Sequence, residues 1–342
     1  MKKRIAWILI IFLVTNFLVF GLYSWSQIDN SRPGSFLRFI DMHPWKSYQM
    51  IDLRYNSFYI AGSSGNNLVL GNTTSPLKYR IVSPTLDTST KNITGALWNT
   101  TRFAAPTFFT RDNLRMIYDG NVKRIIPIDP ITNVPAVVDS SLLRFTALLP
   151  LNVNSFIMKL YDDSSQQMIL VKESKGKRVD TYSFQKQVDG IFCVDGQLDF
   201  DTKYQQLVYC YYYRNQVLVL DSNLRIVRSF NTIDTNTIAK IKLAPIKSQD
   251  IITLAETPKN VNKRISAHYG QVFVLSGQQS RNEESALFLN NSVIDIYDIT
   301  SGKYVKSFYL PDLFGSKVKS FKVTGKQLWA LYKHHLVIFY MY

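Results

Sequence analysis

Between residues 36 and 342 one unit recurs: an apolar strand, a polar turn, a second apolar strand, another turn, then a strand with a basic start. Its clearest copies are QQLVYCYYYRNQVLVLDSNLRIVRSF (205–230) and GQVFVLSG followed by NSVIDIYDITSGKYVKSF (270–277 and 291–308). Their third strands end alike, IVRSF against YVKSF. SFIMKLYDDSSQQMILVKESKGKRVDTYSF (155–184) is a weaker copy. A unit this short cannot bury both faces of its own sheet, so copies must pack on one another. Between the turns lie runs rich in Val, Ile, Tyr and Phe, such as LVYCYYY (207–213), QVLVL (216–220) and LVIFY (336–340), and no helical period extends over them.

Equating the second strands at Ser57, Thr107, Ser155, Gln206, Gln271 and Gln327 spaces the units about 50 residues apart, the size of a four-stranded propeller blade. Residues 36–342 then hold six units, and the expected fold is all-β: a six-bladed β-propeller. One longer gap, about 65 residues, predicts an insertion around 245–264. The last unit lacks an outer strand. An open edge invites aggregation, so the stranded segment FLRFI (36–40) is expected to fill it and close the ring.

Ahead of the repeat, residues 5–23 (IAWILIIFLVTNFLVFGLY) carry no charge. As a helix they span about 28 Å, close to the hydrocarbon thickness of a bilayer. Lys2, Lys3 and Arg4 precede them, and no charge follows until Asp29. The positive-inside rule then gives a cytoplasmic stub (1–4), a single-pass anchor in the inner (cytoplasmic) membrane (5–23), a linker (24–35) and a periplasmic remainder (36–342). A cleaved signal peptide is the rival, but its apolar region should be 7–15 residues long.

From residue 36 on, the chain resembles six-bladed β-propellers of the TolB-like and NHL-like kind, and more specifically the membrane-anchored propellers of Bacteroidota envelopes. The unit endings above, 291–310 and FFTRDNLRMIYDG (108–120) carry the resemblance. It implies a scaffold that binds at the ends of a central channel, and it specifies no chemistry. No Trp-Asp blade ending and no sialidase Asp box occurs.

Lys and Arg number 40 against 25 Asp and Glu, a formal charge of +15. Such a field favours anionic partners. The positives are dispersed, without the run of a nucleic-acid arm, so nucleic acid is not an expected partner. An envelope protein or an anionic glycan is. The sequence contains no G-x-S-x-G, H-E-x-x-H, P-loop or C-x-x-C. A binding module is therefore the leading reading, with a metal-dependent hydrolase or lyase at the central channel as the alternative.

Strands 48–54, 145–150, 196–201, 265–269 and 318–323 are the expected channel lining. Their polar members Asp52, Arg54, Asp199, Asp201, His268 and Lys322 are the candidate ligand-binding residues, joined by Arg111 and Asp112 of the turn at 110–113. Asp199 and Asp201 share a strand face, a pattern that suits a hard cation such as Ca²⁺. No other cofactor is expected. Cys193 and Cys210 are the only cysteines, and outside the cytoplasm they are a candidate disulfide.

Overall fold

The computed structural model describes residues 2–30, 34–95, 102–136, 139–140, 143–246 and 251–342. An N-terminal helix, α1 (Lys2–Asn30), precedes strand β1 (Trp45–Asp52). The remaining strands fall into consecutive antiparallel units. Unit 1 is β2 (Phe58–Ser64), β3 (Asn67–Asn72), β4 (Lys78–Val82) and β5 (Thr88–Asn92); unit 2 is β6 (Thr107–Arg111), β7 (Leu114–Asp119), β8 (Arg124–Ile128) and β9 (Asp139–Ser140). Unit 3 is β10 (Ala147–Asn152), β11 (Ser155–Asp162), β12 (Gln167–Ser174) and β13 (Lys177–Ser183). Unit 4 is β14 (Gly196–Asp201), β15 (Gln206–Tyr211), β16 (Gln216–Leu220) and β17 (Ile226–Asn231). A separate hairpin follows, β18 (Leu243–Ile246) with β19 (Ile251–Leu254). Unit 5 is β20 (Asn262–His268), β21 (Gln271–Ser276), β22 (Asn291–Asp298) and β23 (Tyr304–Pro311), with the short helix α2 (Ser285–Leu289) before β22. Unit 6 is β24 (Ser320–Thr324), β25 (Gln327–Leu331) and β26 (His335–Met341), and β1 pairs with β26 to complete it.

Hydrophobic burial explains why these units assemble. The middle strands are apolar on both faces and fully covered, as in β15 and β16, whereas outer strands such as β17 are exposed. Each apolar cluster lies between two neighbouring units. Ile117 and Ile126 meet Val69 between units 1 and 2, and Leu218 meets Leu170 between units 3 and 4. Trp329 and Ile338 of unit 6 pack against Leu68 and Leu70 of unit 1. The first strands touch in order around the ring, β14 against β20, β20 against β24, and β24 against β2. Antiparallel four-strand units whose first strands surround an axis are the architecture of a β-propeller.

The inserted hairpin β18–β19 falls where the long gap predicts it. Two other expectations are corrected. Ser57 and Thr107 mark first strands, not second ones; the second strands of units 1 and 2 begin at Asn67 and Leu114. The strand that completes unit 6 is β1, not residues 36–40. Residues 34–41 instead strap unit 5. Ile40 bridges Ser307 of β23, Ser307 N–H donates to Phe39 O, and Arg281 N–H donates to Phe36 O. Arg38 is buried beneath this strap. It forms a two-pronged bond with Asp295 (2.8 and 3.0 Å) and pairs with Glu283.

Residues 5–23 lie within α1, which continues to Asn30 through much of the expected linker. Trp7, Ile8, Ile11, Phe12, Phe17 and Phe20 are exposed. The side chains at 2, 3, 6, 9 and 23–30 lie outside the described set, and among the described residues no helix is long and apolar enough to cross a membrane.

Cys193 and Cys210 are both free thiols, so the candidate disulfide is not formed. They lie on opposite sides of unit 4. Cys193 belongs to the cluster shared with unit 3, and Cys210 to the cluster shared with unit 5. The Cys193 thiol donates to Asp189 O at 2.8 Å, and burial pushes the Cys210 thiol well up from its ordinary pKa.

Candidate functional site

The first strands enclose an axial cavity of about 280 Å³ at the end where those strands finish. A second hollow, about 370 Å³, opens at the other end, and Gly62, Phe109, Leu149, Asp199 and Lys322 line both. These five residues therefore form the waist of the channel.

Ring geometry leaves the inner edges of the first strands too far apart for ordinary ladders at most seams, so side chains stitch them. On β14, alternate residues point the same way. Gln197 accepts a hydrogen bond from Ile265 N–H (3.0 Å), Asp199 from Ala267 N–H (2.8 Å) and Asp201 from Gly270 N–H (2.8 Å). Two of these side chains thus satisfy one edge of β20, and the third the turn that follows it. Ser266 Oγ accepts from Val323 N–H (3.0 Å) at the next seam. Between β2 and β6 the backbones approach closely enough to pair directly, in parallel. A Cβ at Gly62 would lie 1.8 Å from Thr110 O, and its φ of +143° also favours glycine, so this approach requires that residue.

The expected site residues divide into three groups. Arg111, Asp112, Asp199, His268 and Lys322 all line the cavity. Asp201 is fully buried behind it. Asp52 and Arg54 are elsewhere, because β1 is an outer strand; Asp52 accepts from Arg54 N–H in the turn that follows it. Their assignment to a lining strand is thereby corrected.

Lys322 reaches Asp199 at 2.8 and 3.0 Å. Both expected cation ligands are thus engaged by protein donors, Asp199 by Lys322 and Ala267, Asp201 by Gly270 and Tyr204. Among the described residues, no group of three or more His, Cys, Asp or Glu is placed to hold a metal ion. Burial lowers the pKa of His268, and the nearby Lys322 lowers it further, so the ring is neutral at pH 7.

Among the charged residues that line the cavity, Arg111 is the one with a nitrogen left unpaired. Its guanidinium lies over the Phe200 ring (4.3 Å to the centroid) and donates through Nη2 to Pro150 O (2.7 Å) and Leu151 O (3.1 Å). Nη1 is buried without an acceptor, as is the hydroxyl of adjacent Thr110, which is 1% exposed. Burial lowers the pKa of Arg111, which Asp199 and Asp112 only partly offset.

Two further hollows adjoin the cavity. One, about 440 Å³, shares Arg111, Asp112, Phe200 and Thr202. The other, about 630 Å³, shares His268, Val323 and Gly325 and adds Lys203, Tyr204 and Tyr269. Thr110, Phe200, Tyr204 and Tyr269 are not among the expected site residues. The only sequence signals for them are their neighbours Arg111 and Asp199 and the Tyr269-Gly270 turn.

No family model matches the chain, and no curated protein matches it by sequence. Among solved structures, it is similar to a member of the duf4221 family from Bacteroides vulgatus, with a TM-score of 0.56 and 12% identity over 89% of this chain and 98% of that one. It also aligns with the Neurospora crassa Pan2 WD40 domain (TM-score 0.47, 11% identity, 88% and 97% covered). BamB from Moraxella catarrhalis follows (TM-score 0.40, 10% identity, 86% and 96% covered). At such identities the first likeness is one of fold alone, and the lower-scoring two add nothing to it.

Proposed function

We propose that the chain is a six-bladed β-propeller, spanning residues 36–342, that binds an anionic ligand at the axial mouth marked by Arg111. The observation that carries this reading is that Arg111 lines the axial cavity with one nitrogen left without an acceptor. A guanidinium nitrogen buried without an acceptor is costly unless something pairs with it. A carboxylate or phosphate group is the acceptor that matches its fork. The net charge of +15 works in the same direction by drawing anions toward the surface. An anionic glycan or an acidic surface of an envelope protein offers such a group.

Residues 5–23 act in this reading as a single-pass anchor, with residues 1–4 in the cytoplasm and the propeller in the periplasm. Supporting this are the uncharged run and the exposure of apolar side chains all round α1. Alkaline extraction and protease protection in cells check the topology: release by carbonate, or cleavage of the propeller in intact spheroplasts failing to occur, sinks the anchor.

The binding test uses the full chain in nanodiscs, titrated with citrate and with inorganic phosphate at low salt. A rise in thermal midpoint that disappears in Arg111→Ala supports the mouth as the anion site. An equal rise in wild type and variant rejects it. The enzymatic alternative has less support, because the carboxylates it needs are bonded to Lys322 and to backbone N–H groups.

A further inference from the structure

We infer that the ligand is an acidic oligosaccharide, whose sugar rings lie on Tyr204 and Tyr269 while an acid group meets Arg111; this rests on the anion-binding reading above. The hollow beside the cavity is walled by these two tyrosines. Tyr269 is 67% exposed and Tyr204 40% exposed. Lys203 Nζ lies between them, 4.9 Å from the Tyr204 ring centroid and 4.6 Å from that of Tyr269.

The arrangement is built, not incidental. Buried Asp201 accepts from Tyr204 N–H (2.9 Å) through one oxygen and from Gly270 N–H (2.8 Å) through the other. One carboxylate therefore clamps the two turns that carry the tyrosines, which makes Asp201 a positioning residue. A Cβ on Gly270 would sit 2.8 Å from the Tyr204 ring, so the second turn closes down on the first only with glycine there. Tyr269 (φ +49°) and Gly270 (φ +85°) form the two-residue turn between β20 and β21, the left-handed pair that such a tight hairpin demands. With its turn held by Asp201, the exposed Tyr269 ring stands beside Tyr204 as a rigid aromatic surface.

Chemistry selects the ligand class. A pyranose offers an apolar C–H face for an aromatic ring and hydroxyls for Lys203, His268 and Thr202. A uronic acid adds the carboxylate that Arg111 lacks. Both outer hollows share lining residues with the cavity, and together they give room for several sugars rather than a single small anion.

The test is calorimetric titration of the full chain in nanodiscs with tetrasaccharides of galacturonate, mannuronate and glucuronate-containing type. Citrate, tetraglutamate and the methyl-esterified galacturonate tetramer serve as comparisons. At least one uronate tetramer is expected to bind ten times or more tighter than citrate or tetraglutamate, with the neutral ester at least tenfold weaker than its acid. Tyr269→Ala should weaken the tetramer at least tenfold and leave citrate unchanged, Arg111→Ala should weaken both, and Asp201→Asn should act as Tyr269→Ala does. If citrate or tetraglutamate binds as tightly as every uronate and Tyr269→Ala changes nothing, the saccharide inference is wrong while the anion site stands. If no anion binds at all, both readings fall.

Discussion

Arg38 and Arg111 sit in contrasting surroundings, the first buried and the second half-buried at the channel mouth. Arg38, under the strap on unit 5, has Asp295 on two prongs, Glu283 on a third nitrogen, and Ser276 Oγ and Gln278 O at 2.8 Å each. Burial works against its charge, yet Asp295 and Glu283 outweigh it and hold its pKa above the ordinary value. Arg111, at the channel mouth, has only two carbonyl acceptors and one nitrogen without any. Its pKa moves the other way. An unpaired nitrogen does not mark a ligand site by itself, since buried Arg214 leaves Nε and Nη2 without acceptors over the Tyr211 ring; Arg111 differs from it in lining an open cavity.

The strongest way to break this contrast is Arg38→Ala. It strands two buried carboxylates, and the expected loss is about 3–5 kcal/mol of unfolding free energy, read by chemical denaturation. A loss under about 1 kcal/mol would mean the strap is ornamental. Sharpening comes from the triple change Arg38→Met, Glu283→Leu, Asp295→Leu, which removes all three charges together. It should recover most of that loss, since an apolar cluster replaces a buried ionic one at little net cost. Arg111→Met is expected to change stability by less than about 1 kcal/mol, because only carbonyl bonds are lost and a desolvated charge is relieved. Anion affinity should nonetheless fall at least tenfold in the same variant.

The smallest effect concerns Asp41, at the strap's far end, which Lys306 contacts at 2.7 Å. That hydrogen bond lowers the Asp41 pKa. A carboxylate depressed on folding stabilises above its unfolded pKa and loses that contribution as pH falls through the folded value. Midpoints recorded from pH 6 down to pH 2.5 should therefore fall slightly more for wild type than for Asp41→Asn, the divergence appearing below about pH 4. Parallel curves would show that the contact is fully screened by solvent.

The same strap shows where sequence reading stops. FLRFI looks like a closing strand because four of its five residues are large and apolar. In the structure the alternation is inverted around Arg38: Phe36 and Arg38 are buried, while Leu37 and Phe39 are exposed. Only the partners Glu283 and Asp295, more than 240 positions away, make an inward arginine tenable. The real closing strand, WKSYQMID, overlaps the run 48–54, which reads from sequence as a lining strand of the first unit; its exposed, half-polar pattern is that of an outer strand facing water. That one error carried Asp52 and Arg54 into the expected lining. The middle strands, such as 216–220, were legible because both their faces are covered and their apolar runs are unbroken. Phase was lost in units 1 and 2, where the first strand is as apolar as the second. At the site, charge on lining strands pointed to Asp199, His268 and Lys322. Thr110 opens the turn expected at the mouth, but nothing local shows its missing partner, and nothing local joins Tyr204 to Tyr269, whose turns are clamped by Asp201.

The pairing of β1 with β26 also imposes an order in time. Gln49 and Tyr340, joined by a hydrogen bond across that pair, are 291 positions apart. During synthesis β1 emerges long before its partner exists, and contacts of such separation form slowly. Throughout that interval β1 and β25 are open edges, the state in which chains of this class aggregate. Once unit 5 has formed, the strap shortens the remaining search. With residues 34–41 held along β23, β1 starts only four positions later and is poised beside the slot that β26 will offer. An arginine that looks purely static is thereby also a kinetic aid, delivering the first strand to the last.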